Sequence, residues 1–136
     1  MTALPVPMPT PETLPHWEGT RRGELVIQRC SACEGWVFHP RLRCPACSAD
    51  RLEWTLASGR GSLWSYIIVH RAEAGFQDEV PYVLGVVELE EGPHMMSRIR
   101  GVDPTPEAVR IGAPLRVEFE PRGDQMLPVW WAGGER

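Results

Sequence analysis

The chain has 136 residues, 43% of them hydrophobic, with a formal net charge of −4 and a pI near 5.6. That length suits one ordinary domain or two very small ones, and the acidic balance argues against broad phosphate binding. Every Lys/Arg position is arginine, which excludes Schiff-base chemistry, a Walker lysine and a lysine general base within this chain.

Residues 1–13 are proline-rich and are expected to form a flexible N-terminal segment. The start, from Met1 to Thr10, has no basic n-region and no continuous apolar stretch. No apolar run in the sequence approaches the ~20 residues of a membrane span. A cytoplasmic protein without membrane association is expected. Pro15 to Arg22 reads as a short helix, with proline in its first turn, Trp17 as its large apolar residue and Gly23 just past its end. Leu25–Ile27 is a strand leading into Cys30-Ser31-Ala32-Cys33. Trp36–His39 is a strand leaving it, ended by Pro40. Cys44-Pro45-Ala46-Cys47 follows, and the alternating Leu52–Leu56 closes a three-stranded ribbon.

The four cysteines are the only ones in the chain. Two C-x2-C knuckles on a hairpin place four sulfurs around one point, where a tetrahedral dication accepts all of them at roughly 2.3 Å. Cys30, Cys33, Cys44 and Cys47 are therefore the expected ligands of one structural Zn2+. Four protein ligands close the site, whereas catalytic zinc keeps a position open. Iron in a rubredoxin-like centre suits the same S4 set, and a disulfide framework is the remaining alternative. All thiols are committed in any of these readings, so none is left as a nucleophile. A ribbon this small draws much of its folding free energy, about 10 kcal/mol, from the metal.

Ser58-Gly59-Arg60-Gly61 is a turn-rich joint. Beyond it, strands are expected at Ser62–Val69, Tyr82–Leu89, Met95–Arg100, Leu115–Glu120 and Met126–Trp131. A polar loop covers Arg71–Glu79, and a short helix covers Thr105 to about Arg110, with proline at its first position. Five strands with a helix between the third and fourth is the order of an OB-type barrel. The expected fold is thus mainly β: helix and zinc ribbon over 14–57, then a five-stranded OB-fold barrel with one short helix over 58–132.

The chemistry-bearing residues are few. His39 lies between the knuckles, as a fifth or replacement ligand at most, and His70 ends the first barrel strand. Glu90 and Glu91 adjoin at a turn. The sequence has no G-x-S-x-G, H-E-x-x-H or G-x-G-x-x-G pattern, so catalysis by this chain alone has little support. The aromatic residues are more informative: Trp17, Trp36, Phe38, Trp54, Trp64, Trp130 and Trp131 are many large anchors for two small cores. Tryptophan is enriched at interface hot spots. Trp130 and Trp131 are adjacent on a strand and point to opposite faces, which leaves one of them for the surface. Arg21, Arg22, Arg29, Arg41, Arg43, Arg51 and Arg60 cluster around the metal segment, either as solvated faces or as a basic patch for an anionic ligand or partner.

The combination resembles one family. Its marks are the Trp-containing helix, Gly23-Glu-Leu-Val-Ile-Gln-Arg-Cys30-Ser-Ala-Cys33 and Pro40-Arg-Leu-Arg-Cys44-Pro-Ala-Cys47. Ser58-Gly-Arg-Gly61, Val80-Pro-Tyr82, Val86-Val-Glu-Leu89 and Arg110-Ile-Gly112 continue it. These resemble the acyl-CoA-associated OB-fold family with a rubredoxin-like zinc ribbon, long catalogued as a domain of unknown function, over about residues 14–120. Glu34 departs from the pattern, standing where a glycine often follows the first knuckle. The resemblance implies a non-catalytic accessory subunit of a thiolase-superfamily enzyme: a thiolase, an acyltransferase or a steroid side-chain retro-aldolase. It implies a heteromeric complex built on a partner dimer, with the acyl-CoA at the interface and the catalytic groups on the partner. The accessory chain would stabilise that partner and help shape its CoA-ester channel. Arg41, Arg43 and Arg60 are then the residues expected to meet CoA phosphates, since guanidinium fits phosphate geometry. The rival readings are a zinc-ribbon and OB nucleic-acid-binding module, which the acidic balance disfavours, and a one-electron carrier with iron on the four cysteines.

Overall fold

The computed structural model describes residues 4–73 and 75–133. Residues 1–3 of the expected flexible segment and Ala74 of the expected polar loop lie outside the described residues.

The first element is helix α1 (Leu14–Arg21). Pro15 sits in its first turn, where the missing N–H costs nothing. The helix ends as the sequence predicts, on Gly23, whose φ of +77° is open to glycine at no steric cost. The Gly23 N–H donates to the Thr20 carbonyl (3.0 Å) and the Glu24 N–H to the Gly19 carbonyl (2.9 Å). Gly19 lets the helix approach the next strand closely: a Cβ there would stand 2.7 Å from Val26 Cγ2.

Strands β1 (Val26–Cys30), β2 (Trp36–Val37) and β3 (Leu52–Leu56) form an antiparallel sheet in the order β2-β1-β3. β2 is shorter than the expected Trp36–His39. Its continuation is taken over by a side chain: buried Gln28 accepts the Arg41 N–H at Oε1 (2.7 Å) and donates from Nε2 to the Arg41 carbonyl (3.0 Å). A glutamine amide offers the same donor–acceptor pair as a peptide, so it ends the ladder without leaving backbone groups unpaired.

The second sheet closes into a barrel, β4-β5-β6-β8-β7. Its strands are β4 (Arg60–Val69), β5 (Tyr82–Leu89), β6 (His94–Arg100), β7 (Pro114–Arg122) and β8 (Gln125–Trp131). β6 and β8 pair in parallel, and the other neighbours are antiparallel. Closure removes every open edge. Alternate residues of β5 point inward, namely Val83, Gly85, Val87 and Leu89. Gly85 has no room for a side chain, because Ile99 and Leu63 already occupy the positions 2.8 and 2.9 Å from its would-be Cβ.

The expected helix at Thr105–Arg110 is a correction. Those residues make a single turn, in which the Ala108 and Val109 N–H groups both donate to the Thr105 carbonyl at 3.1 Å. Pro104 precedes it, Pro106 sits inside it and Gly112 follows. Too few residues remain between them to offset the cost of helix nucleation. The one helix among the described residues is α1.

The barrel core holds Leu63, Val83, Val87, Leu89, Met95, Ile99, Leu115 and the fully buried Trp130. Leu25, Ile27 and Ala57, from the ribbon's side of the joint, belong to the same cluster. The ribbon's own second cluster is only Cys30, Val37 and Cys44, with Ala49 and Leu52 against it. No helix among the described residues is long and apolar enough to cross a membrane.

Candidate metal centre

Two knuckles of the same backbone design carry the cysteines. In the first, the Glu34 N–H donates to the Cys30 carbonyl (2.7 Å). In the second, the Ser48 N–H donates to the Cys44 carbonyl (2.8 Å). Both turns close on a non-glycine residue in the left-handed region, Glu34 at φ 65° and Ser48 at φ 66°. β1 supplies Cys30 directly, and the Ser31 N–H bond to the Arg51 carbonyl (2.9 Å) ties the first knuckle to the approach of β3.

The four Sγ atoms lie within 4.8 Å of one another. Cys30 and Cys47 sulfurs are 3.6 Å apart, and those of Cys33 and Cys44 are 3.7 Å apart. A tetrahedron with bonds of roughly 2.3 Å has edges of about 3.8 Å, so the donor set fits one zinc-sized ion. The electrostatics agree. Backbone N–H groups of Cys47 and Ala46 pull the Cys44 thiol down to about 7, and the Cys33 N–H lowers Cys30. Cys47 receives the Ala49 N–H, but burial and the neighbouring sulfurs outweigh it and push its thiol up to about 12. Four thiolates do not share this space without a cation. Cys30 and Cys44 are buried and Cys33 and Cys47 exposed. His39 does not join them: its ring stacks on Phe38 at 4.5 Å, and the metal-type cluster found among the described residues contains cysteines alone.

The structure does not gather the three arginines singled out from the sequence into one contact. Arg41 holds Gln28 through its backbone, and its guanidinium makes no ion pair or hydrogen bond with the described residues. Arg43 Nη1 donates to the Ser48 carbonyl (3.0 Å), bracing the second knuckle. Arg60 lies at the start of the barrel and pairs with Glu90 at 2.6 Å; that carboxylate raises its pKa. It lines an open cleft of about 610 Å³ together with Glu88, Glu90 and Arg116.

Sequence reasoning named Trp64 only as one of the aromatic anchors, without its place in a bulge, and gave His16 no role. Trp64 is the extra residue of a β4 bulge between Leu63 and Ser65, where an unpaired residue turns outward. It is 55% exposed and packs on His94 at 4.5 Å. Ile67 and Met96 are also exposed, on β4 and β6. His16 is buried in α1, with Nδ1 3.0 Å from the Val26 carbonyl. Burial lowers its pKa, the Val26 carbonyl partly opposes this, and His39 lowers it further. A lone histidine in a short helix carries no periodic signal that could have marked it. Of the adjacent tryptophans, Trp130 is fully buried and Trp131 half-buried on the opposite face.

Known proteins share this arrangement. Residues 17–53 match the family model for the ChsH2 rubredoxin-like zinc ribbon domain, and residues 54–120 match that for the ChsH2 C-terminal OB-fold domain. The 3-oxo-4,17-pregnadiene-20-carboxyl-CoA hydratase alpha subunit of Mycobacterium tuberculosis is 34% identical over 131 residues, 94% of this chain and 40% of that protein. A DUF35 domain-containing scaffold protein of Methanothermobacter thermautotrophicus is 34% identical, over 79% of this chain and 81% of that protein. The solved Ltp2-ChsH2(DUF35) aldolase contains a chain that is 30% identical and superposes with a TM-score of 0.82, over 93% of this chain and 98% of that one. The chain spans only 40% and 35% of the length of the first two curated relatives it matches. The chain belongs to the DUF35 family, with the ChsH2-type zinc ribbon and OB-fold.

Proposed function

We propose that this DUF35 family member is a non-catalytic accessory subunit of a thiolase-superfamily enzyme that acts on acyl-CoA esters. It stabilises that partner and helps shape its CoA-ester channel, and it works in the cytoplasm. The observation that carries this reading is the near-complete overlay on the chain of an aldolase named for two components. The hydratase alpha subunit adds a CoA ester as the substrate class of a second relative. This chain's own residues point the same way. Its thiols are grouped for a metal, it has no lysine, and no nucleophile–base pair forms among the described residues. The division of labour follows the two units, helix and ribbon at 14–57 and barrel at 58–132. Exposed Trp64, Ile67 and Met96 provide apolar surface for docking. Of the three arginines, Arg41 is the best placed for a CoA phosphate, since its guanidinium is uncommitted. Arg60 would first have to leave Glu90.

The test is purification of the tagged protein from its native source, with metal content measured on the same sample. One zinc per chain and a thiolase-like enzyme in fixed ratio are expected. Zinc with bound nucleic acid and no protein partner would replace this reading with the nucleic-acid module.

A further inference from the structure

A cleft of about 300 Å³ lies where the helix, the ribbon and the barrel meet. Its walls are apolar: Trp17 from α1, Phe38 from the loop after β2, Met95 and Met96 from β6, and Leu127 and Pro128 from β8. The polar groups around it are nearly all committed. Ser97 Oγ donates to the Pro128 carbonyl (3.0 Å), and Arg98 is paired with Glu79. The exceptions among the described residues are His16 and His39; the His39 ring is exposed and stacks on Phe38, so His16 is the buried one. Its Nδ1–H is spent on the Val26 carbonyl, which fixes the tautomer and leaves Nε2 as an acceptor. Nε2 has no hydrogen bond among the described residues. Nor is it sealed: among the described residues, the sealed, partnerless side-chain atoms are Glu91 Oε1 and Gln125 Oε1. His16 is only 7% exposed and lines the cleft. Burial keeps the ring neutral near pH 7, which preserves the acceptor.

We propose that this cleft is a binding site for an uncharged ring compound carrying one hydroxyl, with the rings between Trp17, Phe38 and the two methionines and the hydroxyl donating to His16 Nε2. A small cavity with apolar walls and one placed polar group is the usual form of a ligand site, and junctions between units are where such sites occur. Methionine walls adapt to ring shape. The buried His16 acceptor supplies selectivity, since a ligand without a donor leaves it unpaired, whereas exposed His39 is satisfied by water.

The test uses the zinc-loaded 136-residue chain with 2-naphthol and naphthalene as probes. Methyl resonances of Met95, Met96 and Leu127 report occupancy, and the His16 Nε2 nitrogen resonance reports the hydrogen bond. 2-Naphthol should shift all four and bind about fivefold more tightly than naphthalene, the factor expected of one neutral hydrogen bond. His16→Asn keeps a donor at the Nδ1 position and deletes the Nε2 acceptor. It should abolish the preference for 2-naphthol while naphthalene still binds. Met96→Trp changes an exposed side chain at the cleft wall and should exclude both probes. Equal binding of the two probes to the unaltered protein, methyl shifts elsewhere, or an unmoved His16 nitrogen would each overturn the proposal. So would a preference that survives in His16→Asn. The nitrogen measurement needs no variant, so a His16→Asn protein that fails to fold does not rescue the idea.

Discussion

At the scale of single residues, the knuckles hold two strained positions. Glu34 and Ser48 both adopt positive φ, a region where a Cβ crowds the following carbonyl. Gly35 follows Glu34 without sharing its left-handed φ, so the glycine is one residue away from where the backbone needs it. Glu34→Gly should therefore raise stability by about 1 kcal/mol, read as a higher denaturation midpoint of the zinc-loaded protein at unchanged slope. The arginines differ in the same local way. Arg41 offers an uncommitted guanidinium, whereas Arg60 is held by Glu90 at 2.6 Å. In the assembled complex, Arg41→Ala should weaken CoA-ester binding about tenfold or more, the order of one charge-assisted hydrogen bond. Arg60→Ala should change it less. Titration of the purified complex with its CoA ester checks both; an effect from Arg60 alone would reverse their assignment.

At the scale of elements, the connection from β4 to β5 is held by a small cluster. Arg98 on β6 pairs with Glu79 and lies over the Tyr82 ring at 4.8 Å, and Phe76 stacks on Tyr82 at 5.7 Å. The hydrogen bond from Arg98 is the main reason that the Glu79 carboxyl titrates below its ordinary value. A depressed carboxylate stabilises the fold above the unfolded value of about 4.3, and that stability is lost as pH falls through the lower folded value. With both groups largely screened from water, about 1 kcal/mol is at stake. The Glu79 carboxyl carbon, followed by NMR, should titrate below about 4.3 and return to the ordinary range in Arg98→Met. An unshifted midpoint in the unaltered protein would dissolve this clamp. Of the strands that flank it, Tyr82–Leu89 was bounded to the residue, because a run of β-branched and apolar residues ends at the Glu91-Gly92-Pro93 turn. The turn at Thr105–Val109 was not legible, because proline at a first helical position looks the same whether or not enough residues follow to propagate a helix. β2 was overestimated for a related reason. Strand-forming Phe38 and His39 are visible in the sequence, but the Gln28 side chain that replaces their pairing acts from thirteen residues away, on Arg41. The clustering of the four cysteines was legible, since C-x2-C fixes two sulfurs on one turn whatever surrounds it. The cleft at His16 was not, because it exists only once three elements meet.

At the scale of the molecule, the two units are unequal and share a core. The barrel is closed and rests on a large apolar cluster, while the ribbon's own cluster is three buried residues, two of them metal ligands. The outer surface follows from this: with the core claiming Trp130, Trp64 lies outside the core with more than half its surface exposed. Trp64→Ala should leave the melting temperature near that of the parent and reduce co-purification of the partner enzyme, because an aromatic anchor at an interface is commonly worth 2 kcal/mol or more. Metal removal should have the opposite pattern. Without a cation the sulfurs at 3.6 and 3.7 Å no longer crosslink the knuckles, and little apolar burial remains to hold them. The barrel keeps its closed ladder, but Ile27 of β1 and Leu25 just before it, which enter its core, lose the anchor on their far side. A chelator should therefore collapse hydrogen-exchange protection at Glu34 and Ser48, whose amides close the two knuckles. The amides of β5 should stay protected, with a lower melting temperature for the barrel. If β5 instead exchanges as fast as the knuckles, the shared core has fused ribbon and barrel into one cooperative unit. The zinc would then hold up the whole protein rather than its first third.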